Sequence, residues 1–227
     1  MNAIPGPPPL RTAIIIDYQN VHLVGHEAFP STRYLERHES LVDPLLFAQQ
    51  LIKARNERQR PGFPPAMLRE VWVYRGLPSS EYDSVDNARS LAQQHHWERD
   101  PRVHVTLRPL RYRVERDATG RPIRDVNGNV TIIEKREKGV DVLCALALVR
   151  EAARDDIDLV ILASHDSDLE PAIDEARELG SAKIEAFRWD SPDAFAYQLR
   201  SSDRTRPIWC TKLDEVAFRA SRDLTPY

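Results

Sequence analysis

The stretch Asp158-Leu159-Val160-Ile161-Leu162-Ala163-Ser164-His165-Asp166-Ser167-Asp168-Leu169 decides the fold class of this chain. Its five consecutive apolar residues, 159–163, predict a buried strand, and the spacing of apolar residues from Leu169 onward predicts a helix. A strand that is apolar on both faces is typical of a parallel sheet covered by helices on both sides. Binding sites in such sheets lie beyond the carboxyl ends of the strands, which is where Asp166 and Asp168 stand.

The rest of the chain repeats this alternation of strands and helices. Residues 12–17 form a second apolar run, in which three consecutive isoleucines favour a strand that ends at Asp17. We expect a loop or a short helical turn after it. Further strands are predicted over residues 69–74, 103–107, 182–187 and 208–210, and helices over residues 44–60, 80–98, 140–154, 169–179, 193–199 and 214–222. The pattern predicts an α/β fold, a doubly wound and mostly parallel sheet in one domain.

One segment interrupts the alternation and carries excess positive charge. Residues 112–115 and 130–133 alternate as strands do, and the turn residues Gly120 and 127–129 lie between them, which predicts a β-hairpin insertion. Residues 102–138 hold ten Lys or Arg against five Asp or Glu, although the whole chain has a formal net charge of −3. Such a segment indicates either an anion-facing surface or an ordinary solvated hairpin.

Composition limits the class of protein. The chain has 227 residues, 41% hydrophobic and 30% charged, as in ordinary soluble proteins. No apolar run approaches the roughly 20 residues of a membrane helix, and the Pro-rich start resembles no signal peptide, so we expect a cytoplasmic protein with a disordered lead-in at residues 1–10. Cys144 and Cys210 stand in no metal-binding spacing and are expected to be small core residues.

Four acids are expected at one edge of the sheet. Asp17 ends one strand, Asp166 and Asp168 follow another, and Asp141 begins a helix whose N-terminal end belongs on the same side. Carboxylate oxygens are the ligands that Mg²⁺ and Mn²⁺ prefer, so the pattern predicts a divalent metal site. The alternative is that Asp141, Asp166 and Asp168 only favour helix N-termini, with Asp168 the stronger candidate for a cap. His165 is expected to be a turn residue rather than a ligand.

Other chemistries have no matching motif. The sequence contains no Gly-rich phosphate loop, no Gly-x-Ser-x-Gly turn of a serine hydrolase and no pair of histidines at zinc-binding helical spacing.

Three motifs carry a resemblance to a known family. The segments 14–20, 138–141 and 164–169, read as IIIDYQN, KGVD and SHDSDL, resemble in order the signatures of the NYN-domain family, within the PIN-like nuclease superfamily. The resemblance implies a parallel sheet of strand order 3-2-1-4-5 with helices on both faces, and metal-dependent endonucleolytic cleavage of RNA. The resemblance covers the chain from about Arg11 to Phe187. Together with the alternation of strands and helices, it predicts a single PIN-like domain over residues 11–227, with a C-terminal extension from about residue 190.

The resemblance implies roles for individual residues. Asp17, Asp141 and Asp166 match the metal-holding acids of the family, and Asp168 matches its accessory acid. Asn20 and Ser164 match the polar residues that support the ligands or the scissile phosphate. His165 departs from the family, which more often has a small residue there. The hairpin and the tail lie outside the motifs.

The expected activity is therefore a Mg²⁺- or Mn²⁺-dependent endoribonuclease acting on single-stranded or structured RNA. Lys138 and Arg136 are candidates for contacts with the phosphate backbone. Two alternatives remain, a nuclease acting on DNA or flap structures and a non-catalytic RNA-binding or regulatory module. The sequence also leaves open a homo-oligomer and a regulatory protein partner.

Overall fold

A computed structural model describes residues 7–32, 34–126, 128 and 130–227 of the protein. The strands are β1 Leu10–Asp17, β2 Ala66–Leu77, β3 Val103–Pro109, β4 Arg111–Val114, β5 Ile132–Arg136, β6 Leu159–Ala163, β7 Lys183–Trp189 and β8 Trp209–Leu213. The α-helices are α1 Tyr18–Ala28, α2 Pro44–Glu57, α3 Ser84–Trp97, α4 Val140–Ala152, α5 Glu170–Leu179 and α6 Glu215–Ala220. Short 3₁₀ turns cover Pro30–Thr32, Arg37–Glu39 and Ser167–Leu169.

Six parallel strands form the central sheet in the order β3-β2-β1-β6-β7-β8. The predicted fold class is confirmed, and the first five strands have the expected order. The sixth, β8, comes from the C-terminal extension and lengthens the sheet at one edge. The two apolar runs of the sequence, β1 and β6, are neighbours in the middle of the sheet, and every residue of β6 is buried.

Successive residues of β1 point into two separate cores, because side chains of a strand alternate between its faces. Ile14 and Ile16 pack in the layer that holds α1, α2 and α6, together with Phe47, Leu51 and Phe187. Ala13 and Ile15 pack in the layer of α4 and α5, with Cys144, Leu148 and Ile173. Helices thus cover both faces of the sheet. Packing in both layers holds the carboxyl end of β1 in place. Cys144 is a buried core residue and Cys210 is half-buried, and neither is in a disulfide.

Two local predictions were wrong. The segment after Asp17 is an eleven-residue helix, α1, whose buried face is Tyr18, Val21, His22, Gly25 and Ala28. Helical spacing was present there, but a histidine and a glycine obscured its apolar character. The helix predicted over residues 193–199 is absent. Nearby backbone N–H groups are bound by side chains instead, Arg200 N by Glu170 Oε1 (2.9 Å) and Ser202 N by Asp174 Oδ1 (3.1 Å).

The hairpin is confirmed as a separate antiparallel pair, β4 with β5. It packs beside α3, because the Tyr112 hydroxyl donates to Asp83 Oδ2 (2.6 Å) and Lys135 forms an ion pair with Asp83 (2.7 Å). Of the turn predicted at 127–129, Asn127 and Asn129 lie outside the described residues.

The C-terminal tail returns to the body of the protein after α6. Asp223 N donates to Leu41 O (2.8 Å), and the Trp97 indole donates to Asp223 Oδ2 (2.7 Å). Most of the predicted lead-in at residues 1–10 lies outside the described residues, and Leu10 already belongs to β1. None of the helices in the described part of the chain is long and apolar enough to cross a membrane.

Candidate functional site

The register of the sheet brings the first and third motifs together. Ile16 in β1 pairs with Ala163 in β6, so Asp17 and Ser164 leave neighbouring strands at the same level. On the other side, Asp17 pairs with Tyr74 of β2. Because these strands are parallel, their carboxyl ends share one edge of the sheet, and the N-terminus of α4 reaches the same edge.

The Ser164 hydroxyl connects Asp17 to the loop after β6. Ser164 Oγ donates to Asp17 Oδ2 (3.0 Å) and accepts from Asp166 N (3.1 Å). Ser164 is completely buried, so this hydroxyl has no competing water. It therefore fixes the positions of Asp17 and Asp166 relative to each other.

Asn20 joins the same two segments from α1. Its Oδ1 accepts from His165 N (2.7 Å), and since only the oxygen of the amide can accept, the Asn20 NH₂ group is left for a ligand. His165 itself turns inward. Its Nδ1 lies 2.8 Å from Tyr197 O, and burial lowers its pKa to about 4. His165 is thus a neutral, structural residue of the turn, and its side chain does not line the site.

Two residues before Asp141, Gly139 adopts the left-handed backbone conformation. Gly139 has φ +82°, and the Arg108 side chain packs where a Cβ would stand, with Nε only 2.9 Å from that position. Arg108 Nε also donates to Lys138 O (2.7 Å). Any other residue at 139 would be strained by both its backbone and this contact. The Lys138–Asp141 segment therefore begins α4 in one fixed conformation.

These segments surround a cleft of about 570 Å³ that is strongly acidic. Four carboxylates line it, those of Asp17, Glu137, Asp141 and Asp166, and Lys138 is its single cationic residue among those described. Gln19, Asn20, Leu23, Val24, Gly139 and Val140 complete the lining. We call it the acidic cleft. It contains three of the four acids that the sequence predicted.

Glu137 lines the acidic cleft and was not predicted from the sequence. Its Oε2 accepts from Gly76 N (2.9 Å), a donor that it shares with Gln19 Oε1 (2.9 Å). Glu137 follows β5 directly, so the position of the hairpin places Glu137 at the cleft. The one available signal was its position immediately before the Lys138–Asp141 motif.

The electrostatics of the cleft favour a cation. Burial, and then the charges of Asp166 and Asp141, raise the pKa of Asp17 to about 6, against the opposing hydrogen bond from Ser164. Partial burial and the charge of Asp17 raise the pKa of Glu137 to about 7. Asp17 is only 6% exposed, and besides Ser164 the backbone N–H of Asn20, in the first turn of α1, stabilises its ionised form. These hydrogen bonds do not offset the burial, so a role at the start of α1 does not by itself explain a buried carboxyl with a raised pKa.

The other three acids are more accessible than Asp17, and Glu137 is exposed. Asp141 is exposed and Asp166 is half-exposed. Asp166 Oδ1 accepts from Asp168 N (3.0 Å), which makes Asp166, not Asp168, the cap of the turn after β6. This bond occupies one carboxylate oxygen and leaves the other for a ligand.

The oxygens of Asp17, Asp141 and Asp166 stand farther apart than a shared ion would hold them. Within the described ranges, only one group of three His, Cys or acidic residues has its ligand atoms within 4.8 Å of one another, and it lies elsewhere. Asp141 is exposed and Asp166 is half-exposed, so neither carboxylate is held by surrounding packing. An all-oxygen donor set with a raised carboxyl pKa fits Mg²⁺ or Mn²⁺.

The group within 4.8 Å is Asp43, His96 and Asp223. Asp43 Oδ1 caps α2 by accepting from Leu46 N (2.8 Å). Asp223 Oδ2 accepts from the Trp97 indole and from the Tyr227 hydroxyl (2.6 Å). These bonds give the two carboxylates structural roles, in a cap and in anchoring the tail.

Three predicted site residues do not line the acidic cleft, and one of them, Ser164, is buried behind it against Asp17. Asp168 is exposed on the turn after β6 and is not among the lining residues. Arg136 is 71% exposed and is ion-paired with Glu134. The structure thus brings together Asp17, Asn20, Lys138, Asp141, Ser164 and Asp166, adds Glu137, and places Asp168 and Arg136 at the surface.

Comparison with known proteins agrees with the motifs. The sequence profile of the NYN domain matches residues 11–206. A search of curated proteins finds no match. Among solved structures, the chain is similar to a protein of unknown function from Vibrio parahaemolyticus, with 21% identity and a TM-score of 0.43, over 81% of this chain and 84% of that one.

Proposed function

The chain belongs to the NYN-domain family, and from this premise we propose that it is a Mg²⁺- or Mn²⁺-dependent endoribonuclease whose active site is the acidic cleft. The observation that carries the proposal is the state of Asp17. A buried carboxylate next to two further carboxylates is unfavourable by itself and becomes favourable when a divalent cation binds. A catalytic metal site gives a direct reason for this arrangement.

Each residue of the cleft has a proposed role. Asp17, Asp141 and Asp166 hold the metal, and Ser164 positions Asp17 and Asp166. Lys138 and the free NH₂ group of Asn20 bind oxygens of the scissile phosphate. Glu137 stands where it can accept a proton from the attacking water. A bound ion of this kind polarises a phosphoryl oxygen and lowers the pKa of a bound water.

We assign Asp168 and Arg136 supporting roles outside the cleft. Asp168 fixes Asp166 through its backbone N–H, and its exposed carboxylate belongs to the rim. Arg136 adds positive charge near the path of the substrate. We also propose that residues 11–227 act as one domain, because β8 extends the sheet and the tail binds back onto α3.

The test is a cleavage assay on matched RNA and DNA. Labelled single-stranded RNA and DNA of one mixed sequence are incubated with the protein in Mg²⁺, in Mn²⁺ and in chelator. We expect internal cuts in the RNA that require metal and that disappear in Asp17→Asn and Asp166→Asn. The control is Asp155→Asn, an exposed acid at the opposite edge of the sheet, whose neighbourhood is the start of β1.

The same assay distinguishes the two alternatives, a DNA nuclease and a non-catalytic RNA-binding module. Equal or preferred cutting of DNA identifies a DNA nuclease with the same site. If neither nucleic acid is cut in either metal, and Asp17→Asn binds RNA as the parent does, the protein is a binding module.

A further inference from the structure

A second cleft adjoins the acidic one and has the opposite charge. It has a volume of about 240 Å³, and its cationic side chains are Arg37, Arg75, Arg89 and Lys135, against the single acid Asp86 among its described lining. Gln19 and Leu23 line both clefts, so the two are continuous. We call it the basic cleft.

Three of its four cations already have carboxylate partners. Arg89 binds Asp86 (3.0 Å), Lys135 binds Asp83 (2.7 Å), and exposed Arg37 lies 3.6 Å from Glu27. These side chains contribute positive potential at the rim but are only partly available to a ligand.

Arg75 differs from the other three. It is 8% exposed, and its guanidinium lies over the rings of Tyr18 (4.6 Å) and Trp97 (5.4 Å). Its Nη1 donates to Gln93 Oε1 (2.6 Å), while its buried Nε has no acceptor. No carboxylate in the described part of the chain forms an ion pair with it. The nearest balancing charge is that of Glu137, which acts on Arg75 without direct contact. A buried guanidinium with no direct ion pair and with an unused N–H is costly unless a ligand supplies the acceptor.

The position of Arg75 connects it to the active site. It follows Tyr74, which pairs with Asp17 in the sheet, and precedes Gly76, whose N–H binds Glu137. One short segment at the end of β2 therefore forms the boundary between the two clefts.

We propose that the basic cleft is a subsite for a second, non-scissile phosphate of the substrate strand, with Arg75 as its binding residue. The proposal rests on the proposed function, since it assumes an RNA strand whose scissile phosphate lies in the acidic cleft. The strand passes over Gln19 and Leu23, with one phosphate at the metal site and another at the guanidinium.

The chemistry favours a phosphate over other occupants. A guanidinium presents several donors in one plane and matches the oxygens of a phosphate. The rings of Tyr18 and Trp97 hold it in one orientation, so little side-chain entropy is lost on binding. A contact of this kind fixes the position of the strand and carries no sequence preference.

The experiment measures binding without cleavage. Fluorescein-labelled decauridylate is titrated with the protein in EDTA, and anisotropy is followed over a series of KCl concentrations. Arg75→Gln should weaken binding by about tenfold and reduce the salt dependence by about 0.7 in the log–log slope, the value for one phosphate contact on a single strand. Arg75→Lys keeps the charge but loses the planar guanidinium. Its affinity for the decamer should lie between those of the parent and Arg75→Gln.

The matched control is Arg219→Gln, an exposed arginine on α6 that lines neither cleft. It should bind like the parent. Equal affinity and slope for Arg75→Gln and Arg219→Gln would overturn the proposal, as would failure of the parent to bind the decamer.

A second measurement needs no variant and covers the case in which Arg75 substitutions unfold the protein. Decamers carrying one uncharged methylphosphonate at successive positions are titrated with the parent. One position besides the scissile one should lose about tenfold in affinity. A uniform small loss at every position contradicts a discrete subsite.

The outcomes for the two proposals are separable. If the decamer binds with the predicted pattern but no metal supports cleavage, the nuclease proposal fails and the subsite stands. If cleavage is intact and Arg75→Gln binds normally, the subsite fails alone.

Discussion

Ser164 Oγ donates a 3.0 Å hydrogen bond to Asp17 Oδ2 between residues 147 positions apart in the sequence. The same hydroxyl accepts from Asp166 N, so one buried group orients two carboxylates of the acidic cleft. The central parallel pair β1–β6 makes this contact possible, and the predictions below follow from it and from the charges around it.

Replacing Asp17 should change stability and metal binding in opposite directions. The pKa of Asp17 is raised to about 6 by burial and by its acidic neighbours, so the ionised form destabilises the folded state above that pH. Asp17→Asn should therefore raise the free energy of unfolding by about 1 to 3 kcal/mol at pH 7.5 in EDTA. Mn²⁺ should raise the melting temperature of the parent and leave that of the variant unchanged. A less stable variant that still responds to Mn²⁺ would contradict both expectations.

Ser164 should matter for metal affinity more than for the chemical step. Ser164→Ala removes the donor to Asp17 and leaves the Asp166 N–H without an acceptor, so both ligands lose their fixed orientation. We expect the Mn²⁺ concentration for half-maximal cleavage to rise by about 10- to 100-fold, with much of the rate recovered at saturating metal. Ser167→Ala, on the exposed turn three residues away, is the control and should behave like the parent. Unchanged metal dependence in Ser164→Ala would rule out a positioning role.

Glu137 is the cleft acid that was not predicted from the sequence, and substitution can test its role. Glu137→Gln keeps an oxygen that can accept from Gly76 N and removes the charge from the cleft. The maximal rate should fall by about 10²-fold or more, the usual contribution of a proton-accepting group, while RNA binding in EDTA stays constant. Glu134→Gln, on β5 three residues before Glu137 and paired with Arg136 at the surface, should keep full activity. Equal rates for the two variants would assign Glu137 a structural role.

His22 should contribute stability that is lost in mild acid. Burial lowers the pKa of His22 to about 4, below the roughly 6.5 of an unfolded histidine. Between these two values the unfolded chain binds the proton and the folded chain does not. The associated stability, up to about 3 kcal/mol, is therefore complete above pH 6.5 and is lost as the pH falls toward 4.

The measurement is chemical unfolding between pH 7.5 and 4.5. His22→Gln, which can still donate to Arg37 O, should gain stability relative to the parent, by up to about 3 kcal/mol, as the pH falls through this range. The exposed His38→Gln should keep a constant difference from the parent. A constant difference between His22→Gln and the parent would show that His22 is not responsible.

Much of the fold was predictable because its signals are local. Residues 13–16 and 159–163 are apolar on both faces, which is typical of strands inside a covered parallel sheet. Parallel strands share one carboxyl edge, so Asp17, Asp141 and Asp166 could be assigned to one side of the sheet before their contacts were known. The helix α1 was missed because His22 and Gly25 interrupt its apolar face.

The composition of the site depended on tertiary contacts. Glu137 and Arg75 are ordinary charged residues in the sequence. Apart from the position of Glu137 next to the Lys138–Asp141 motif, nothing local distinguishes them from Glu134 or Arg136. The hairpin carries Glu137 onto Gly76 N, and the packing of Tyr18 and Trp97 encloses Arg75. Asp168 stands in a motif, yet the turn directs it to the surface.

The sequence by itself determined the parallel sheet and the edge at which the acids gather, because hydrophobic periodicity and strand direction are properties of short segments. Only the tertiary structure decided which carboxylates share the cleft and which guanidinium lacks a partner. Burial and charge pairing depend on residues distant in the chain, and these set the pKa of Asp17 and the unused hydrogen-bonding capacity of Arg75.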